Sequence, residues 1–190
     1  MHSLENIIKK IGCKAILIDK PEELDSFDKI ILPGVGSFDA GVIKLKEYKF
    51  DEKLKQLSKH GTKILGICLG MQLLFDKSEE GILPGLGLIK GEVKKFKADN
   101  EKMKIPHMGW NEVDFKKKSF LSKNMPEDSR FYFVHSFYCI PSDSKTILCS
   151  TNYGIEFTSA IINDNIFGFQ FHPEKSHKFG MKLLQNFMEL

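Results

Sequence analysis

Arginine is almost absent from this chain. Of 28 basic side chains only Arg130 is an arginine; the rest are lysines. A site for phosphate or carboxylate therefore lacks the bidentate guanidinium fork except at that position. Cysteine is sparse as well. Cys13, Cys68, Cys139 and Cys149 form no CxxC pair and keep no regular spacing. That excludes a disulfide scaffold and a cysteine-rich zinc site, and it fits a reducing, cytoplasmic setting. No cofactor and no metal are expected. No apolar run reaches the ~18 residues that span a bilayer, and Met1 leads straight into an amphipathic stretch rather than a signal peptide. A net charge of +3, scattered along the chain, is too small to point to nucleic acid.

What is present is globular. The 190 residues are 42% hydrophobic and 28% charged, which suits one domain over residues 1–190 with a single core. Leu4, Ile7, Ile8 and Ile11 repeat at helical spacing before Gly12. Lys14–Asp19 and Lys29–Leu32 then read as short buried strands. A helical region in two pieces follows over 39–60, then a strand over Lys63–Ile67 and a helix over Cys68–Phe75. Short apolar strands alternating with helices predict a parallel sheet covered on both faces. The second half differs: Leu88–Lys97, Asn111–Phe115, Arg130–Cys139, Thr146–Thr151, Glu156–Ile162 and Ile166–Phe171 read as strands with few helices between them. Antiparallel pairing is expected there, closed by an amphipathic helix carrying Phe179, Leu183, Leu184 and Phe187. The fold class is three-layer α/β, a mostly parallel central sheet with helices on both faces and an antiparallel, strand-rich second half. Such folds open on a strand, whereas this chain opens on a helix, so a first strand is expected before Met1 in a longer product.

Gly66-Ile67-Cys68-Leu69-Gly70 stands where a strand meets a helix. A glycine-flanked nucleophile on so sharp a turn is raised at the carboxyl end of the sheet, over a helix N-terminus that favours thiolate. By itself the pattern equally fits a buried structural cysteine followed by a capping glycine. His172-Pro173-Glu174 ends another apolar strand, 104 residues later. Alone it is a surface loop. With the cysteine turn upstream, Cys68, His172 and Glu174 form a triad: nucleophile, base, and a carboxylate that orients the base.

Gly66-Ile-Cys-Leu-Gly-Met-Gln72 and Gly168-Phe-Gln-Phe-His-Pro-Glu174 resemble the class I, triad-type glutamine amidotransferases. Leu32-Pro-Gly-Val-Gly-Ser-Phe38, Pro106-His-Met-Gly-Trp-Asn111 and Tyr132-Phe-Val-His-Ser136 narrow the resemblance to the glutaminase subunits of imidazole glycerol phosphate synthases. It covers nearly the whole chain and implies a flavodoxin-like fold and hydrolysis of L-glutamine to glutamate and ammonia. Cys68 would attack the carboxamide, His172 would protonate the departing ammonia, and Glu174 would hold the imidazole. The oxyanion donors would be the Leu69 N–H and the loop at Val35 and Gly36. Gly34, Gln72, Ser136 and Phe137 would hold the substrate; the family has Tyr where this chain has Phe137. Pro106, His107, Met108, Gly109, Trp110 and Asn111 would face a (β/α)8 barrel cyclase in a heterodimer, and the barrel would take up the ammonia. Without the family, Pro33–Gly36 is simply a strand-to-helix turn, Phe131–Tyr138 an aromatic core strand, and Trp110 a core plug or an interface anchor. Three other readings compete: a paralogous glutaminase supplying ammonia to a surface-polysaccharide sugar, a stand-alone thiol hydrolase or peptidase, and a non-catalytic interaction subunit whose pocket is ruined by the absent first strand.

Overall fold

A computed structural model describes residues 2–97 and 104–190. The strand expected before Met1 lies outside the described residues. The chain begins with helix α1, His2–Lys10, which buries Leu4, Ile7 and Ile8 and stops at Gly12, φ 84°. A 3₁₀ turn over Pro21–Ser26 leads to strand β1, Lys29–Gly34. Helices α2, Phe38–Glu47, and α3, Phe50–Lys59, precede strand β2, Lys63–Cys68, which runs directly into the short helix α4, Leu69–Leu73. These elements follow the expected alternation.

The segment expected as a strand over Lys14–Asp19 is not one. Among the described residues no strand lies beside it, and Ile16 and Leu17 are 51% and 66% exposed. A β-branched apolar run becomes a strand only when a neighbour takes up its backbone groups.

The second half supplies β3, Lys77–Ser78; β4, Gly91–Lys95; β5, His107–Glu112; β6, Asp114–Phe115; β7, Arg130–His135; β8, Phe137–Pro141; β9, Ile147–Tyr153; β10, Ile155–Asn163; and β11, Ile166–Phe169. Helix α5, His177–Met188, closes the chain. The main sheet runs β1-β2-β11-β10-β8-β4-β3, with β9 and β6 added beside β10; β5 and β7 pair separately. Parallel pairing joins β1, β2 and β11, and also β3 with β4; the other ladders of this sheet are antiparallel. The parallel part is therefore only three strands wide, and it carries the site.

Alternation along the central strands splits the core in two. Leu65, Ile67, Phe167 and Phe169 point to the side packed by α1 and α5. Ile64 and Ile166 point to the side packed by α2, α3 and α4. Phe131, Phe169 and Phe171 stack on the first side, with ring centroids 4.0 Å apart for Phe131 and Phe171 and 5.3 Å for Phe169 and Phe171.

Candidate active site

Cys68 ends β2 with φ 55° and ψ −113°, a backbone conformation that a residue with a Cβ rarely holds. The glycines around it make the turn possible. A Cβ on Gly66 would lie 2.5 Å from the Gly70 carbonyl oxygen, and one on Gly70 would strike the Leu32 carbonyl. Gly168, the register partner of Gly66 on β11, faces the same helix; its Cβ would lie 2.7 Å from the Met71 side chain. Side chains missing from the sheet beneath α4 thus let that helix lie close and start immediately after the sulfur.

His172 follows β11 and is fastened through its backbone. Its N–H donates to the Tyr132 carbonyl at 2.8 Å, and its carbonyl accepts from Ser176 Oγ at 2.6 Å. Ser176 Oγ in turn accepts from the Tyr132 N–H at 3.0 Å. Gly180 of α5 presses on the Pro173 carbonyl, where a Cβ would collide. The turn Pro173–Lys175 is held between these contacts, so His172 Nδ1 meets Glu174 Oε1 at 2.8 Å. His172 Nε2 is sealed from solvent and has no partner within hydrogen-bond geometry. Cys68 lies near enough to act electrostatically on the ring without hydrogen bonding to it; catalytic hydrogen bonds often tighten only once substrate binds.

Cys68 is buried, but its sulfur is not enclosed by hydrocarbon alone. Gln170 Nε2 is 3.9 Å from it and the Val134 carbonyl oxygen 4.0 Å. Burial opposes charge on His172. The nearby Cys68 and the hydrogen-bonded Glu174 together outweigh that and raise its pKa to about 9. Burial pushes the Glu174 carboxyl up, but its bond to His172 prevails and holds it below the usual value. His172 is therefore an imidazolium at neutral pH, facing a carboxylate.

The other expected residues gather unevenly. Gly34 is the register partner of Cys68 across β1 and β2, and exposed Val35 and Gly36, φ 104°, follow it at the same sheet edge. Leu69 opens α4. Gln72 is buried, its Nε2 donating to the Phe137 carbonyl at 3.2 Å and to Gln170 Oε1 at 3.1 Å. Ser136 and Phe137 stand at the break between β7 and β8, where the Ser136 carbonyl accepts from the Phe96 N–H at 3.0 Å.

The run Pro106–Asn111 is mostly strand β5, preceded by a cis Ile105–Pro106 bond. Alternation divides it. Pro106, Met108 and Trp110 are exposed, whereas Gly109 and Asn111 are half-buried. His107 is buried, stacked on Phe133 and Tyr153 with centroids 4.7 and 4.0 Å away, so of the interface and structural readings open to it this geometry suits the structural one. Two site residues escaped the sequence reading. Gln170 stands just past the end of β11, two places before His172 and inside the same short motif, a signal the sequence does carry. His135 gives no signal, because an apolar strand shows nothing of what its one imidazole bonds to.

Among the described residues no helix is long and apolar enough to cross a membrane, and no three His, Cys, Asp or Glu side chains converge as metal ligands. The family described as "Glutamine amidotransferase class-I" matches residues 1–190. "Imidazole glycerol phosphate synthase subunit HisH 2" of Methanococcus maripaludis is 56% identical over 188 residues, covering 98% of this chain and 93% of the relative. The protein of the same description from Pseudomonas aeruginosa is 47% identical, covering 99% and 93%. "Imidazole glycerol phosphate synthase subunit HisH" of Bdellovibrio bacteriovorus is 44% identical, covering 100% and 95%. The fold is also that of PurLQS from Thermotoga maritima, with TM-score 0.74, 21% identity and coverage of 99% and 91%. It matches the glutaminase domain of Trypanosoma brucei CTPS with bound acivicin too, with TM-score 0.65, 18% identity and coverage of 99% and 88%.

Proposed function

The chain belongs to the class-I glutamine amidotransferase family, and on that premise we propose how its residues work as the glutaminase subunit of an imidazole glycerol phosphate synthase, an enzyme of histidine biosynthesis. The observation that carries the residue assignment is the Cys68, His172 and Glu174 arrangement: a sulfur on a forced turn, beside an imidazolium whose far nitrogen is bonded to a carboxylate at 2.8 Å.

Cys68 Sγ attacks the carboxamide carbon of L-glutamine, and the carbonyl electrons move onto oxygen. The Leu69 N–H receives that oxyanion, with a second backbone donor from Val35 or Gly36 on the neighbouring strand end. One such donor is worth ~3 kcal/mol of barrier. The tetrahedral species collapses, the C–N bond breaks, and the His172 Nε2 proton goes to the leaving nitrogen, which departs as ammonia. His172, now neutral, takes a proton from water. The resulting hydroxide opens the thioester, releasing glutamate and regenerating the sulfur. Gly34, Gln72, Ser136 and Phe137 hold the substrate beside Sγ.

At neutral pH free ammonia is mostly ammonium, a poor nucleophile, so it must pass onward without meeting bulk water. The receiving partner is a (β/α)8 cyclase. The surface we assign to it carries Met108 and Trp110, with the half-buried Asn111 at its edge. Support comes from connectivity. Trp110 pairs with Tyr132 across β5 and β7, and Tyr132 carries the His172 backbone. A partner pressing on Trp110 is thus one strand away from the base.

The test is synthesis of imidazole glycerol phosphate by the two-subunit complex, with either glutamine or ammonium salt as nitrogen source. Cys68→Ala is expected to abolish the first reaction and leave the second. Persistence of the glutamine-dependent reaction removes Cys68 as nucleophile. Rescue of a histidine auxotroph that lacks its own glutaminase subunit fixes the final acceptor; failure with the glutaminase intact moves it to a sugar amidation.

A further inference from the structure

Two buried imidazoles lie behind the pocket, and the reaction above uses neither. His107 is 2% exposed and His135 6%. His135 Nδ1 is 2.7 Å from the Phe137 carbonyl oxygen. That oxygen can only accept, so His135 carries a proton on Nδ1. His107 Nδ1 is 3.0 Å from His135 Nε2. Burial pushes the pKa of His135 down to about 3 and that of His107 down to about 4, so both rings are neutral near pH 7. His135 Nε2 must then accept, and His107 must donate from its own Nδ1. His107 Nε2 accepts in turn from Asn111 Nδ2 at 3.2 Å, and Asn111 Oδ1 accepts the Glu112 N–H at 2.9 Å. Every proton in the chain is fixed by its far end, and all of them point from Asn111 toward Phe137.

The Phe137 carbonyl also accepts from Gln72 Nε2, whose other proton goes to Gln170 Oε1, while Gln170 Nε2 reaches Cys68 Sγ. Both amide protons of Gln72 are therefore directed into the protein. Only its Oε1 is left for a ligand, an acceptor suited to an α-ammonium group. Residue 136 lies outside both ladders, between β7 and β8, so the chain bends there. The bond from His135 to the carbonyl two residues on braces that bend.

The geometry points to His135, backed by His107, as positioning residues for glutamine: their one-way chain of donors fixes the Phe137 carbonyl, which holds Gln72 with its acceptor turned to the substrate. The inference rests on the glutaminase reading above. It assigns the two histidines to substrate binding rather than to the chemical step.

The test compares wild type, His135→Phe, His135→Asn and His107→Phe, each in complex with the cyclase. Phenylalanine keeps the ring and removes the donor; asparagine keeps a donor in the Nδ1 place. His135→Phe is expected to raise the KM for glutamine about tenfold, the effect of one lost hydrogen bond, with kcat within about twofold. His107→Phe should shift KM the same way and less. His135→Asn should return KM to within about threefold of wild type. Alkylation of Cys68 by iodoacetamide, which does not use Gln72, should proceed at the same rate in all four. A loss of kcat and KM together, equal in the Phe and Asn variants, overturns the proposal in favour of packing. Should the variants not fold, ¹⁵N NMR of the wild-type imidazoles decides: both rings are expected as Nδ1–H tautomers, and an Nε2–H or doubly protonated His135 overturns it. A wild-type complex that turns over no glutamine defeats the glutaminase reading itself, and is recognised because all four proteins are then equally inactive.

Discussion

Gly34 and Cys68 are register partners at the ends of adjoining parallel strands. This places the loop that follows Gly34 beside Cys68, and Glu80, which accepts the Phe38 N–H at 2.8 Å, fastens its far end. It also leaves no room at position 34, because a Cβ there would lie 2.9 Å from the Gly70 backbone nitrogen. Gly34→Ala is expected to displace the nucleophile turn by a few tenths of an ångström. Glutaminase kcat should fall, with ~100-fold the upper bound for a displacement near 1 Å, while the far-ultraviolet circular dichroism is unchanged. Full activity in the Gly34→Ala variant would show that the strand end and the turn are not coupled.

The backbone at Cys68 costs stability. Its φ of 55° and ψ of −113° are held by the glycines packed around it. Strain of this kind is worth ~1–3 kcal/mol, and a glycine gives back ~0.5–1 kcal/mol in unfolded-state entropy. Cys68→Gly should therefore be inactive yet more stable, by about 1 kcal/mol in urea denaturation. A variant less stable than wild type would mean that the turn is relaxed.

The His172–Glu174 pair sets a pH dependence whose sign is fixed. The folded-state pKa of His172 is raised from 6.5 to about 9, so its contribution to stability is fully present below 6.5 and is lost between there and 9. Glu174 is lowered, so its contribution is present above its ordinary value of 4.5 and is lost as pH falls through its folded value. In the proposed reaction the protonated ring is the acid that frees ammonia, so kcat/KM should decline in alkali with an apparent pKa near 9. Glu174→Gln removes one of the interactions that raise it and should move that decline down by about one unit. An unshifted profile would detach Glu174 from the base.

Trp110 is 46% exposed and lies flat against His177, with ring centroids 5.3 Å apart and planes 3° from parallel. A half-exposed tryptophan on a short two-stranded sheet is a good interface anchor. Trp110→Ala should weaken binding of the cyclase ~30-fold, about 2 kcal/mol, and leave the urea midpoint of the isolated chain within error. Calorimetry of the two subunits measures the first; unchanged affinity would place the contact elsewhere.

The sequence disclosed most where one residue type permits one geometry. Gly66, Gly70 and Gly168 mark the close approach of α4 to the sheet, and they bracket the nucleophile and the base in two short motifs. Pro173 likewise opens the turn Pro173–Lys175 that brings Glu174 back to His172. The sequence misled where the outcome depends on a neighbour. Ile16 and Leu17 look like strand residues, yet no described strand pairs with theirs. Arg130–Cys139 reads as one strand, but it breaks at Ser136 because the bend is bound from within by His135 and Phe137. Nothing in the run Pro106–Asn111 says which way His107 faces, while the period of β5 turns it inward onto Tyr153. In each case the deciding partner lies far away in sequence or is a hydrogen bond that no composition reveals.

The proposed glutamine hydrolysis depends on Cys68 being activated by His172. Intact-mass measurement of labelling by an electrophilic glutamine analogue tests this most directly. The expected result is one adduct, on Cys68, suppressed by excess L-glutamine and formed at least ~100-fold more slowly in His172→Ala. Labelling of Cys13 instead, or of Cys68 at the same rate without His172, would contradict it.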